Sequence, residues 1–277
     1  MKYLILILLT LTCITGCDDD NYEPNMDFFY PLAVGNVWEY DTTYTYDYDS
    51  LATYNGLTDT TFYSNASVEI ISNEVIFDSI QVYNFATTLN QAGNISTGNQ
   101  YFNNAGNCLF NYGYTSPGVH IPKSNTNSTF FKFDDKIFCN VEEVFEYIKR
   151  GLIQSEYAKD DSINYDPVTC LEYPLEMHNY WMYRAPGNPL AIDKEIVGLE
   201  WIEVPAGRFY CWKIRWIYPE SDLNDNIDIY DFVSQDGLVK RELEVRNMAI
   251  YGDPFGEPTG NLDAFEETYL TNYDLSN

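Results

Sequence analysis

Histidine is nearly missing from this chain, which holds His120 and His178 and no others. A serine or cysteine nucleophile needs a histidine base held beside it. The chain also lacks G-x-S-x-G, H-E-x-x-H and G-x-x-x-x-G-K-[ST], so serine-hydrolase, zinc-peptidase and P-loop chemistry have no motif to stand on. His178, beside Asn179, reads as a turn residue. Positive charge is the second shortage, with 15 Lys and Arg against 42 Asp and Glu and a net charge of −27. Such a polyanion repels phosphate backbones and anionic headgroups, which excludes nucleic acid as a partner. After the first fourteen residues there is no apolar run of the ~20 residues that a membrane-crossing helix needs. Closely spaced cysteines are missing too: Cys108, Cys139, Cys170 and Cys211 show no C-x-x-C spacing, which argues against redox or zinc chemistry. These four form either two structural bridges, in one of three pairings, or remain as core thiols. No cofactor and no metal is implied. Asp222, Asn224 and Asn226 match the first ligand positions of an EF-hand loop, yet Ile227 stands where glycine is required and Val233 where the bidentate acid belongs. An irregular oxygen site or a solvated turn is what remains there.

What is present begins at the N-terminus. Lys2 supplies a basic start, Leu4 to Leu11 an apolar core, and Ile14-Thr15-Gly16-Cys17 is followed at once by Asp18-Asp19-Asp20. This is the layout of a lipoprotein signal peptide over residues 1–16, cut before Cys17. Cys13 fits less well, because Leu11 places bulk where a small residue belongs. Acyl chains on Cys17, at ~0.8 kcal/mol per buried methylene, anchor the remainder to a membrane almost permanently. Loss of residues 1–16 removes only Lys2, leaving 14 basic and 42 acidic residues and a charge of about −28. Residues 17–27 read as an acidic tether reaching at most ~35 Å, and residues 28–277 as a single antiparallel β domain. Location follows as the outer membrane, on its periplasmic or its surface-exposed face.

Strand patterning dominates the body. Trp38, Tyr40, Thr42, Tyr44, Tyr46 and Tyr48 alternate with polar or acidic residues, a sustained period of two. Tyr210, Trp212, Ile214, Trp216 and Tyr218 make a second aromatic face. Val204-Pro205-Ala206-Gly207 predicts a hairpin between 196–204 and 208–218, and Asp236-Gly237 another between 227–234 and 238–247. One short helix is expected where Val141, Val144, Phe145 and Ile148 recur at helical spacing, with Asn140 placed to cap and Glu143 three residues on. Residues 90–128, rich in Asn, Gly, Ser and Thr, read as long loops between short strands. Gly252 to Gly260 predicts an irregular close with one last edge strand. The fold class is mainly β: a curled antiparallel sheet, a half-open barrel or sandwich, with one or two short helices.

Two segments echo each other. Tyr30-Pro31-Leu32, Asn36, Trp38 and Tyr40 recur in register as Tyr173-Pro174-Leu175, Asn179, Trp181 and Tyr183. The echo records either two duplicated β units or one way of starting a strand used twice; the second is favoured because residues beyond each copy do not align. His178 replaces Gly35 in the second copy, a departure that leaves the turn geometry there open.

The PLxxGNxWxY segment at 31–40, the VPAGxF segment at 204–209 and Gly237-Leu238-Val239-Lys240 resemble the motifs of an uncharacterised Bacteroidetes-type lipoprotein family. The resemblance implies a curled sheet around one or two helices, similar to the half-open barrels of LolA/LolB-type lipoprotein carriers, and no reaction. The acidic run after Cys17 resembles a surface-export signal of such lipoproteins. Asp41-Thr42-Thr43, Asp49-Ser50-Leu51, Asp59-Thr60-Thr61, Asp78-Ser79-Ile80 and Asp161-Ser162-Ile163 resemble their O-glycosylation signals, a pattern that is cheap in an Asp- and Thr-rich chain.

The functional expectation is a lipid-anchored, non-catalytic envelope protein. It binds a glycan or apolar ligand in the concave face of the sheet, with Trp38, Tyr40, Trp181, Trp212 and Trp216 as ligand-contacting rings. The alternative is a structural or assembly component working through envelope protein partners. A carboxylate-based glycoside hydrolase comes third, requiring two facing acids, at least one with a raised pKa.

Overall fold

The computed structural model describes residues 28–115, 129–150, 163–186, 190–219 and 222–276. The signal peptide, Cys17, the acidic tether and His120 lie outside them. In chain order, β1 (Val37–Tyr48), helix α1 (Ser50–Tyr54), β2 (Thr60–Ile76), β3 (Ile80–Gln91), β4 (Asn94–Ala105) and β5 (Cys108–Thr115) come first. A small hairpin of β6 (Phe130–Phe133) and β7 (Lys136–Phe138) follows, then helix α2 (Val141–Arg150) and β8 (Ile163–Glu172). The chain continues through β9 (Tyr180–Arg184), β10 (Ile192–Val204), β11 (Gly207–Ile217), β12 (Ile227–Ser234), β13 (Gly237–Tyr251) and β14 (Pro258–Asp274).

These strands form one antiparallel sheet in the order β8-β5-β4-β3-β2-β1-β14-β13-β12-β11-β10-β9, with β6 paired to β13 and β7 to β6. The last strand closes onto the first over a ladder from Val37↔Asp274 to Tyr48↔Leu262. The result is a nearly closed, barrel-shaped sheet with two short helices. Its one seam lies between β8 and β9, the two ends of the strand order. Side chains span that seam: Trp181 Nε1 donates to Thr169 O at 3.0 Å, and Arg184 Nη1 meets Asp166 Oδ2 at 2.8 Å.

Period two does what the sequence implied. On β1, Trp38, Tyr40, Thr42 and Tyr46 are buried while Glu39 and Asp47 are exposed. Both predicted hairpins form, with Val204↔Gly207 and Ser234↔Gly237 as their closing pairs. The tip of the first folds back onto β14, where Ala206 N–H donates to Leu270 O at 3.3 Å. Helix α2 is capped as its sequence suggests: Glu143 N–H donates to Asn140 Oδ1 at 2.8 Å, and Cys139 N–H to Glu143 Oε2 at 2.9 Å. Its buried Val144, Phe145, Tyr147 and Ile148 pack with Tyr218, Leu243 and Met248 into the largest core cluster.

Two expectations need correction. The supposed loop region 90–128 contains β4 and β5, both ladder strands; Asn and Thr side chains sit on a half-exposed barrel wall without breaking it. The last strand is central, because β14 has partners on both sides. Of the one or two short helices expected, both are present; α1, whose place had not been assigned, starts at Asp49, which accepts from Ala52 N–H at 2.7 Å. The open question of the cysteines resolves towards thiols: among the described residues no disulfide joins Cys108, Cys139, Cys170 or Cys211.

Candidate functional site

The echoed segments build the same turn twice. In the first, Asn36 Nδ2 donates to Pro31 O at 2.9 Å and Gly35 takes a φ of +96°. In the second, Asn179 Nδ2 donates to Pro174 O at 2.7 Å and His178 takes a φ of +68°. His178 therefore adopts the left-handed turn that Gly35 adopts more cheaply. Each turn exchanges two backbone bonds with a buried isoleucine, Ile70 for the first and Ile196 for the second. A bulge follows each isoleucine, at Ile70/Ser72 and at Ile196/Gly198. The likeness thus extends past the motif: each copy opens a six-strand meander, β1–β5 with β8, then β9–β14. Side chains diverge between the halves because the shared property is backbone pairing.

That divergence shapes the interior. Trp38 faces Val68 on β2, and Trp181, its counterpart, faces Lys194 on β10. Val68 and Lys194 both line an internal cavity of about 300 Å³. The first half contributes a mainly apolar wall, including Phe85, Phe102, Leu109 and Val168. The second half contributes Lys194, Trp216, Asp231 and Arg241, with Arg184 and Asp166 at the seam.

Asp231 is the hub of the charged wall. Its Oδ2 accepts from Lys194 Nζ at 3.0 Å and from Trp216 Nε1 at 2.8 Å, and its Oδ1 from Arg241 Nε at 2.6 Å. Burial works against the Asp231 carboxylate, but Arg241 and Lys194 outweigh it and hold its pKa well below the usual carboxylate range. Burial drives the Lys194 pKa down despite Asp231. Lys194 Nζ also sits 4.5 Å from the Tyr183 ring centre and 4.2 Å from that of Trp216, a partly aromatic cage for an ammonium. Burial pushes the nearby Cys170 thiol up to about 11, so it is neutral and unreactive at physiological pH. On α2, Lys149 meets Glu266 at 3.0 Å and Glu146 at 3.2 Å.

Of the rings expected to touch ligand, Tyr40 and Trp216 line this cavity. Tyr40 OH donates to Leu238 O at 3.0 Å. Trp38 is wholly buried, stacked on Phe85 with ring centres 5.9 Å apart and its Nε1 bonded to Asp236 O at 2.7 Å. Trp181 is spent on the seam. Trp212 instead borders an outer cleft of about 280 Å³ at the β10–β11 turn, beside Trp201, Arg208 and Tyr210. Sequence reading passed over Lys194, Asp231 and Arg241. A signal was there: each falls in phase with an inward apolar stripe, as in Ile192-Lys194-Ile196, Ile229-Asp231-Val233 and Val239-Arg241-Leu243.

The acid pattern at 222–228 is used internally. Asn224 accepts from Tyr218 N–H and donates to Tyr218 O, both at 2.9 Å, and Asp228 meets Arg246 at 2.8 Å. Among the described residues no group of three or more acids, histidines or cysteines is arranged to hold a metal ion.

No known family model and no curated protein matches the chain. Among the solved structures that match, two resemble it loosely. One is a presumptive lipoprotein from Parabacteroides distasonis, 16% identical with a TM-score of 0.38, over 89% of this chain and 98% of that chain. The other is a presumptive exported protein with a YmcC-like fold from Bacteroides fragilis, 15% identical with a TM-score of 0.37, over 89% of this chain and 99% of that chain. Likenesses this distant transfer neither ligand nor activity.

Proposed function

We propose that this protein is a lipid-anchored, non-catalytic envelope protein of one domain, held at the outer membrane through Cys17, whose barrel lumen binds a small ligand with apolar character. The observation that carries the reading is a cavity of about 300 Å³ whose described lining combines apolar side chains with a cluster of charged ones. That volume lies at the small end of ligand pockets.

The carboxylate-hydrolase alternative finds no support in the lumen. Asp231 and Asp166 are both clamped by cations, and Asp231 is shifted opposite to the rise that a general acid needs. For a glycan, one specific observation favours the outer cleft. Trp201 is 40% exposed there, its ring centre lies 5.0 Å from that of Tyr210, and Arg208 sits 4.5 Å over its face. Titration with soluble oligosaccharides tests that second reading through Trp201→Ala.

For the lumen, the uncharged dye N-phenyl-1-naphthylamine should bind the purified body saturably at one site. Val168→Trp, which fills the lumen, should abolish that binding while leaving the circular dichroism spectrum unchanged. Dye binding that survives Val168→Trp in a folded protein refutes the reading, as does the absence of saturable binding to the native chain.

A further inference from the structure

The charged wall says more about the ligand, on the premise that the lumen binds one. Lys194 and Arg241 share a single carboxylate, and Asp231 has both oxygens engaged by them and by Trp216. Lys194 and Asp231 side chains are only 5% and 4% exposed, so this local excess of positive charge is poorly hydrated. Besides Asp231, Lys194 rests on two ring faces, whose attraction of ~0.5–2 kcal/mol does not match the hydration that burial removed. Arg184, 5% exposed, places Nη1 on both oxygens of Asp166 at 3.0 and 2.8 Å, while its buried Nε has no hydrogen-bond partner among the described residues. Glu266 acts on Arg241 through space but spends its hydrogen bonds on Lys149. Lys149, Arg184, Lys194 and Arg241 thus line the cavity with Glu146, Asp166 and Asp231, four cations to three carboxylates, and Glu266 beside Lys149 makes the fourth acid; what stays unmet is hydrogen-bond donors, not net charge. Phe85, Phe102, Leu109 and Val168 line the same cavity.

We infer that the lumen's ligand is an amphiphilic monocarboxylate whose head sits against Lys194, Arg241 and Arg184 and whose short aliphatic tail lies on the Phe85–Phe102–Leu109–Val168 wall. A carboxylate supplies acceptor oxygens for donors that Asp231 and Asp166 leave over, above all the buried Arg184 Nε. The cavity, equal to the bulk volume of about ten water molecules, limits the tail to a medium-length chain.

The test is calorimetric titration of the purified body at neutral pH with decanoate, decanol and decyl phosphate. Decanoate should bind at least tenfold more tightly than decanol. Lys194→Met should bring decanoate down to the decanol level without weakening decanol, and Lys194→Arg, which keeps the charge, should restore the difference. Lys194→Met leaves Asp231 paired with Arg241, so the variant strands no carboxylate, which a thermal melt checks. Decanol binding as tightly as decanoate overturns the carboxylate inference while the lumenal reading stands. Tighter binding of decyl phosphate than of decanoate overturns the assignment to a carboxylate. Binding of neither decanoate nor decanol removes the lumenal reading itself.

Discussion

Replacing Asp231 by asparagine should destabilise the barrel by about 3–5 kcal/mol, the usual cost of stranding buried charge by removing its partner. The carboxylate is 4% exposed and takes hydrogen bonds from Lys194 at 3.0 Å, Arg241 at 2.6 Å and Trp216 at 2.8 Å. An amide of the same shape keeps one acceptor oxygen but no charge, so two cations face each other without a counterion. At an effective dielectric of about 20, a unit pair at 4 Å interacts by ~4 kcal/mol, so losing two attractions and exposing one repulsion reaches the stated range even after relaxation. Against a total stability of ~5–15 kcal/mol, that is a large fraction. With a urea m-value of ~1–3 kcal/mol/M, the midpoint should fall by at least ~1 M. Intrinsic tryptophan fluorescence reports the transition, since Trp216 lies in the network. The triple variant Lys194→Met, Asp231→Leu, Arg241→Met should recover most of the loss, because no buried charge remains. A loss below about 1 kcal/mol for Asp231→Asn, or no recovery in the triple variant, refutes the assigned role. The network also sets a pH dependence. The Asp231 pKa is lower in the folded chain than its ordinary value of 3.8, so its contribution is full above pH ~4 and is lost as pH falls below that. Asp231→Asn should flatten the acid limb of stability against pH; an unchanged limb assigns acid unfolding to other groups.

Other expectations concern the scaffold and the anchor. Asn179→Ala removes one side-chain bond to a proline carbonyl and should lose ~1 kcal/mol in urea unfolding, whereas Asn36→Ala also removes the bonds its Oδ1 accepts from Ser276 N–H and Oγ, both at 2.8 Å, and should lose ~2–3 kcal/mol. Their effects should add in the double variant; strong coupling would mean the two turns are not independent units. Gly260→Ala places a Cβ 2.5 Å from the Ala52 backbone nitrogen at a φ of +151°, which should cost ~1–3 kcal/mol or displace helix α1; a neutral outcome would show that α1 packs loosely. Cys17→Ser should release the protein from the membrane fraction, and full retention would remove the lipid-anchor proposal.

How much was legible follows from the range of the interactions. The inward stripe of β1, the two hairpins and the capped helix α2 rest on contacts within a few residues, so alternation, turn residues and Asn140 with Glu143 located them. The motif echo was legible as letters, but its equivalence as structure was not. His178 looked like a break, yet it takes a positive φ because Asn179 and Ile196 hold the backbone on both sides. The aromatic rings drew attention by size, although burial makes Trp38 and Trp181 packing and seam residues first. Lys194, Asp231 and Arg241 went unremarked because each alone looks like a surface charge; only the sheet order β13-β12-β11-β10 brings them within hydrogen-bond distance.

By itself the sequence determined the strand periodicity, the paired turns, the helix cap and the strongly acidic surface, since each is a property of neighbouring residues or of composition. Tertiary structure decided that β14 closes the sheet against β1, that β8 and β9 meet through side chains, and that a cluster of buried cations lines a cavity in a polyanion. The first of these joins residues more than two hundred positions apart, such as Val37 with Asp274. Pairings at such separation depend on the curvature and register of the whole sheet, which no local pattern encodes.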